Sequence, residues 1–179
     1  PEVIGDWAAL RGVPVVHYST DYVFDGSKGA AYTESDQPFP LSVYGESKLA
    51  GDQVLLSSGA EAWILRVSWV YSTRGSNFLL TMKRLMAERD SLNIVADQFG
   101  APTWARSIAK ASSMLLLQRL RDPDRYRRAH GVYNLSPAGR TSWFGFARAI
   151  RDGLGLTCEL NPIVTEDYPT AAKRPANSC

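Results

Sequence analysis

Two kinds of pattern alternate along this chain: short runs of β-branched and aromatic residues, and longer stretches whose apolar positions recur every three or four residues. "VPVVHYS" (Val13 to Ser19) is of the first kind and has the character of a buried parallel strand. A helical "VIGDWAALRG" precedes it, with Gly12 placed to end the helix. Ser42 can cap a second helix in which Val43, Ala50 and Val54 share one face and Gly59 provides the stop. "AWILRVSWVY" (Ala62 to Tyr71) predicts a second buried strand, so strand, helix and strand make one βαβ unit with a right-handed crossover.

The alternation continues. Phe78, Met82, Leu85 and Met86 form a helical stripe, with Lys83, Arg84, Glu88 and Arg89 on the wet side. "SLNIVAD" predicts a short strand running into the loop "QFGAPTW". Ile108, Ala111, Leu115 and Leu116 mark another amphipathic helix, "GVYNLS" a strand, and "TSWFGFARAIRDGLG" a helix capped by Thr141 and stopped by glycine. From Leu156 onward the chain is punctuated by proline and carries no clear pattern. The whole predicts an α/β fold with a mainly parallel sheet, part of a doubly wound, Rossmann-like arrangement, plus a smaller lobe. Residues 1–75 fall to the sheet-forming part and residues 76–179 mainly to the lobe, interleaved with the sheet.

Composition narrows the classes. At 179 residues, 45% hydrophobic and 21% charged, the chain has the make-up of an ordinary globular protein, and no apolar run reaches the roughly 20 residues of a membrane span. A net charge of +2 gives no reason to expect a nucleic-acid partner. Arg119, Arg121, Arg125, Arg127 and Arg128 crowd one stretch, but Asp122, Pro123 and Asp124 interrupt them, which reads as a solvated helix end and turn. Cys158 and Cys179 have no metal-ligand spacing and are expected as free thiols in a reducing cytoplasm. The 16 positions from Asp25 to Pro40 form a loop rich in Gly, Ser, Asp and Pro, either functional or disordered.

The candidate chemistry lies in "SVYGESKLAG" (Ser42 to Gly51). Residues four apart on a helix are about 6 Å apart at Cβ, so Tyr44 and Lys48 can address one small volume. An ammonium beside a phenol of ordinary pKa near 10 favours its phenolate and tunes it for proton transfer. The same spacing also occurs by chance on helix surfaces. "YSTDYVFDG" brings Ser19, Thr20 and Asp21 to the end of the first strand, where ligands collect in open α/β sheets. "RVSWVY" brings Ser68 and Trp69 to the corresponding end of the second, with Trp69 readable as a core residue or as a platform for a sugar ring.

"STDYVFDG", "YGESK", "RVSWVY" and "DQFGAPT", in this order, resemble the extended short-chain dehydrogenase/reductases, and within them the dTDP-4-dehydrorhamnose reductases. The related epimerases and dehydratases share the Tyr/Lys pair but usually end the first strand in an "SSxxVYG" pattern. The resemblance extends from Pro1 to "YPTAAKRPANS". It implies reduction, by NADPH or NADH, of the C4 keto group of a dTDP-4-dehydro-6-deoxy sugar in cell-surface polysaccharide synthesis. Tyr44 would donate the proton, Lys48 bind the nicotinamide ribose, and Thr20 hold the reacting oxygen. Asp21 and Trp69 would border the sugar, while Asn77, Gln98, Thr103 and Arg174 would serve the nucleotide and diphosphate; an arginine fork suits a diphosphate.

The resemblance further implies a cytoplasmic enzyme, a homodimer, and in some members a magnesium ion, for which no ligands are identifiable here. It also implies that the chain begins just before the catalytic strand and ends before the family's last helix. No glycine-rich strand–turn–helix for a dinucleotide pyrophosphate occurs among these residues. The 179 residues alone are therefore expected to bind NADPH poorly and to turn over little substrate. Two other readings are a non-catalytic binding protein that keeps the reductase fold, and a nucleotide-sugar epimerase or dehydratase.

Overall fold

The computed structural model describes residues 1–179. In chain order the elements are α1 (Glu2–Arg11), β1 (Val15–Thr20), α2 (Val43–Ser57), β2 (Ala62–Val67), β3 (Val70–Tyr71), α3 (Phe78–Glu88), β4 (Ser91–Val95), β5 (Phe99–Gly100) and β6 (Thr103–Trp104). They continue with α4 (Ala105–Arg121), α5 (Pro123–Arg127), β7 (Gly131–Leu135), β8 (Thr141–Ser142), α6 (Trp143–Leu154) and β9 (Glu159–Ile163). The fold is α/β with parallel pairing throughout its larger sheets, as the pattern predicts.

β1, β2 and β7 form a parallel sheet in that order, and Thr20 pairs with Val67 and Val67 with Leu135. All three strands therefore end at one level, and whatever follows them projects from a common edge. β2 is central and buried along Ala62–Arg66, which explains its continuous apolar run. β1 is an edge strand and only Ser19 and Thr20 in it are buried. β4 and β9 pair separately, and α3 and α6 close over them around a cluster that includes Met82, Met86, Leu92, Ile94, Ala147 and Ile150.

The helix ends follow local chemistry. Gly12, Gly59 and Gly155 all take left-handed φ where the first, second and last long helices finish. Ser42 accepts from the Gly45 N–H at the start of α2. At α6 the cap is Ser142, accepting from the Gly145 N–H, and not Thr141 one residue earlier.

Other expectations need correction. Val43 and Ala50 are exposed and Val54 is half-buried, because α2 turns Gly45, Gly51, Asp52 and Leu55 inward. Two glycines and a carboxylate disguise that face as polar. Leu116 is exposed on α4, whose buried positions are Ile108, Ser112 and Arg119. Arg119 leaves the solvated arginine group: its guanidinium forks onto Glu61, with Nη2 at 2.8 Å from Oε2. The strand foreseen over Ala62–Tyr71 breaks at Ser68 and Trp69, where Trp69 takes φ 41°. β9 had no sequence signal because Pro162 interrupts it, and proline is tolerated there since β9 has one neighbour only.

The Asp25–Pro40 loop is ordered by contacts with the end of the chain. Asn177 Nδ2 donates to the carbonyls of Lys28 and Ala30 at 2.7 and 2.9 Å, and the Tyr32 N–H donates to the Cys179 carbonyl at 2.6 Å. Tyr32 stacks on Phe24 with ring centroids 4.2 Å apart.

Candidate active site

The common edge of β1 and β2 opens into a cleft of about 460 Å³ lined by Thr20, Asp21, Tyr22, Ser42, Tyr44, Trp69, Trp143 and Arg174. Thr20 leaves β1 and caps the short turn that follows: its Oγ1 accepts from the Tyr22 N–H at 3.2 Å and donates to Asp21 Oδ1 at 3.1 Å. Tyr44 enters from the first turn of α2, with its ring edge-on to Tyr22 at 6.1 Å. Gly45 permits that approach, since a side chain there would collide with the Tyr22 carbonyl oxygen. Tyr44 is 55% exposed and lines the cleft, where a ligand can reach it.

One turn further along α2, Lys48 Nζ donates to the Tyr18 carbonyl oxygen at 2.5 Å. A turn beyond that, Asp52 is buried and takes a hydrogen bond from Ser19 Oγ at 2.8 Å, with Arg66 Nε at 3.4 Å. His17 Nε2 lies 3.8 Å from the other Asp52 oxygen. Burial and, next, the nearby Lys48 hold the His17 pKa below its ordinary value, so the imidazole is neutral at pH 7 and Arg66 is the cation that balances Asp52. One face of α2 thus grips β1 at Tyr18 and Ser19, immediately before Thr20.

Asp21 is the most perturbed carboxyl. Burial pushes its pKa up to about 6, opposed by hydrogen bonds from Ser178, Ser68 and Thr20. Ser68 Oγ donates to Asp21 Oδ2 at 2.8 Å, which links the ends of β1 and β2 beneath the cleft. Tyr22 is raised as well, first by burial and then by the Asp21 charge.

Trp69 is half-buried in the cleft wall and lies outside the apolar core. Its indole lies on Gly100, where any side chain would collide with the ring, and stacks on Trp143 with centroids 3.5 Å apart and planes 6° from parallel. Trp143 has no precedent in the sequence reading. It opens α6 after a two-residue strand, and only the assembled lobe brings it to Trp69.

A second cleft, of about 610 Å³, adjoins the first; Trp143 and Arg174 line both. Phe78, Arg89, Asn93, Gln98 and Tyr168 also face it. Gln98 accepts from Trp143 Nε1 at 3.3 Å and donates to Thr165 Oγ1 at 3.1 Å. Asn77 and Thr103 line neither cleft. The Asn77 amide caps α3 through the Leu80 N–H and donates to the Ser72 and Arg74 carbonyls. Thr103 is buried and donates to the Ala101 carbonyl. No three His, Cys, Asp or Glu side chains gather in a way that would hold a metal, and no helix is long and apolar enough to cross a membrane.

Comparison with known proteins identifies the family and the fold. The family model described as RmlD substrate binding domain matches residues 1–179. A dTDP-4-dehydrorhamnose reductase from Burkholderia thailandensis is 47% identical over 188 residues, covering 99% of this chain and 63% of the relative. One from Escherichia coli strain K12 is 42% identical over 183 residues, covering 99% and 60%. The crystal structure of dTDP-4-dehydrorhamnose reductase from Bacillus anthracis in complex with NADP superposes with a TM-score of 0.89 at 35% identity, covering 98% of this chain and 59% of that one. The chain spans 63% and 60% of the lengths of these two curated relatives. With its parallel sheet, its Thr20–Tyr44–Lys48 edge and a match along its full length, this chain belongs to the RmlD substrate binding domain family.

Proposed function

We propose that this chain forms the substrate-binding and proton-donating part of an NADP-dependent dTDP-4-dehydrorhamnose reductase, which converts the C4 ketone of the sugar nucleotide into the hydroxyl of dTDP-L-rhamnose. The observation that carries the reading is that Thr20, Tyr44 and Trp69, from three separate segments, line one cleft at the carboxyl ends of parallel strands.

The sugar occupies the smaller cleft, with its carbonyl oxygen between Tyr44 Oη and Thr20 Oγ1. The nucleotide extends into the larger cleft, past Gln98, and the diphosphate lies at the junction beside Arg174. Asn77 and Thr103 take no part, because their polar atoms are committed to backbone partners. The nicotinamide end of NADPH fits the rim made by Tyr18, Tyr44 and Lys48, where Tyr18 and Tyr44 are half exposed. When bound, the dinucleotide supplies a hydride to the carbonyl carbon. Thr20 turns its single proton from Asp21 toward the reacting oxygen, and Tyr44 gives up its phenolic proton as that oxygen becomes a hydroxyl. Lys48, tied to the Tyr18 carbonyl, holds α2 against β1 while this happens. The enzyme acts in the cytoplasm, on a soluble substrate and as a homodimer.

The test uses a chain extended to the relatives' length, supplied with dTDP-4-dehydrorhamnose and NADPH. Stoichiometric NADPH loss is expected, with kcat falling about 100-fold or more in Tyr44→Phe while dTDP-L-rhamnose binding is kept. Unchanged turnover in that variant contradicts the proposed proton donor. Sugar-nucleotide binding with no NADPH loss points to the non-catalytic binder, and product formation without net NADPH loss to an epimerase.

A further inference from the structure

Trp69 is the one non-glycine residue with positive φ, at 41°. A bulky side chain is rarely found there, and such strain persists only where the surroundings enforce it. Three contacts enforce it here. The indole lies on Gly100, the Trp69 carbonyl accepts from the Thr103 N–H at 3.2 Å, and the ring face is covered by Trp143 at 3.5 Å. Trp143 is held in turn: its Nε1 donates to the buried Gln98, and Phe78 leans on its ring at 4.6 Å.

The two tryptophans belong to different parts of the molecule. Trp69 follows β2 of the parallel sheet, whereas Trp143 opens α6, which packs on the apolar core of the lobe. Trp143 also lines both clefts. An indole at that junction decides where the wall of the sugar cleft stands, because it fixes the position of Trp69, which lines that cleft beside it.

We infer that Trp143 is a specificity-determining positioning residue. It holds Trp69 in its strained conformation, and so sets how well the sugar end of a nucleotide sugar is bound. This rests on the proposed placement of the sugar in the Thr20–Tyr44 cleft. It assigns a role to the lobe that the Thr/Tyr/Lys chemistry does not contain: alignment of the sugar by an aromatic stack that bridges the two parts of the fold.

The experiment measures binding of dTDP-L-rhamnose and of dTDP to the 179-residue chain by titration calorimetry, in wild type, Trp143→Leu, Trp143→Phe and Trp69→Leu, with near-ultraviolet circular dichroism recorded on each free protein. Stacked indoles give a coupled signal, which Trp143→Leu and Trp69→Leu are both expected to abolish. Trp143→Leu should weaken dTDP-L-rhamnose about three- to tenfold more than it weakens dTDP, as Trp69→Leu does. Trp143→Phe keeps a ring in place and should recover most of that loss. Equal weakening of both ligands, or no weakening of either, overturns the inference while leaving the proposed function standing. Failure of the wild-type chain to bind dTDP-L-rhamnose overturns the sugar placement, and the inference with it. If Trp143→Leu does not fold, the same comparison rests on Trp143→Phe, and a Trp143→Phe that loses both ligands equally is again contrary.

Discussion

The sheet layer and the lobe solve the burial problem in opposite ways. Around β4, β9, α3 and α6 the interior is apolar, with Met82, Met86, Leu92, Ile94 and Ile150 in one cluster. Beneath the carboxyl ends of β1 and β2 the interior is polar, with Ser19, Thr20, Asp21, Asp52, Arg66 and Ser68 all buried. The apolar cluster on that side is small, made of Leu55, Ala62 and Ile64. Burying ionised groups is expensive unless they are paired and hydrogen-bonded, and apolar replacements of similar volume often stabilise a fold. The polar interior therefore marks where geometry matters more than stability, and the lobe supplies the ordinary hydrophobic support.

Removing one partner from the polar side should have the largest effect. Asp52→Ala strands Arg66 as an unpaired buried charge and frees Ser19, so urea unfolding should show a loss of about 4 kcal/mol. Pairing Asp52→Leu with Arg66→Met should restore most of that stability, yet still release the strand that carries Thr20. A small loss in Asp52→Ala would mean that the buried pair is not a structural tie. On the lobe side Ile150→Ala opens a cavity in the apolar cluster and should cost about 3 kcal/mol, with no compensating second substitution available at a polar partner.

The smallest effect is a dependence on pH. Asp21 has a folded-state pKa raised to about 6 by burial, so its contribution to stability is fully present below its unfolded value near 4 and is lost as pH rises through 6. Asp21→Asn removes that dependence. Between pH 4 and pH 7 the variant should therefore gain on wild type by roughly 1 to 3 kcal/mol, read from denaturation at each pH. A constant difference across that range would mean that Asp21 titrates normally.

The same contrast governs how much was legible in the sequence. The lobe helix α3 was readable because its apolar residues fall at the helical period, and the strand β2 because its apolar run is continuous. α2 misled, since its buried face is Gly45, Gly51, Asp52 and Leu55, and that pattern is intelligible only once α2 is seen to press against β1 and to carry the counter-charge for Arg66. Thr20, Tyr44, Lys48 and Trp69 were legible as candidates through spacing and strand ends. Asn77 and Thr103 were not separable from them, because capping and turn roles use the same residue types as ligand binding. Trp143 left no local trace at all: its partner lies 74 positions earlier (143 − 69), and long-range stacking has no period.

The most direct test of the central claim is a crystal structure of this chain with dTDP-L-rhamnose bound. The sugar C4 hydroxyl is expected within hydrogen-bond distance of both Tyr44 Oη and Thr20 Oγ1, with Trp69 against the ring and the diphosphate at Arg174. A sugar nucleotide seated elsewhere, for example in the apolar groove formed by Trp63, Leu115 and Tyr133, would contradict the account.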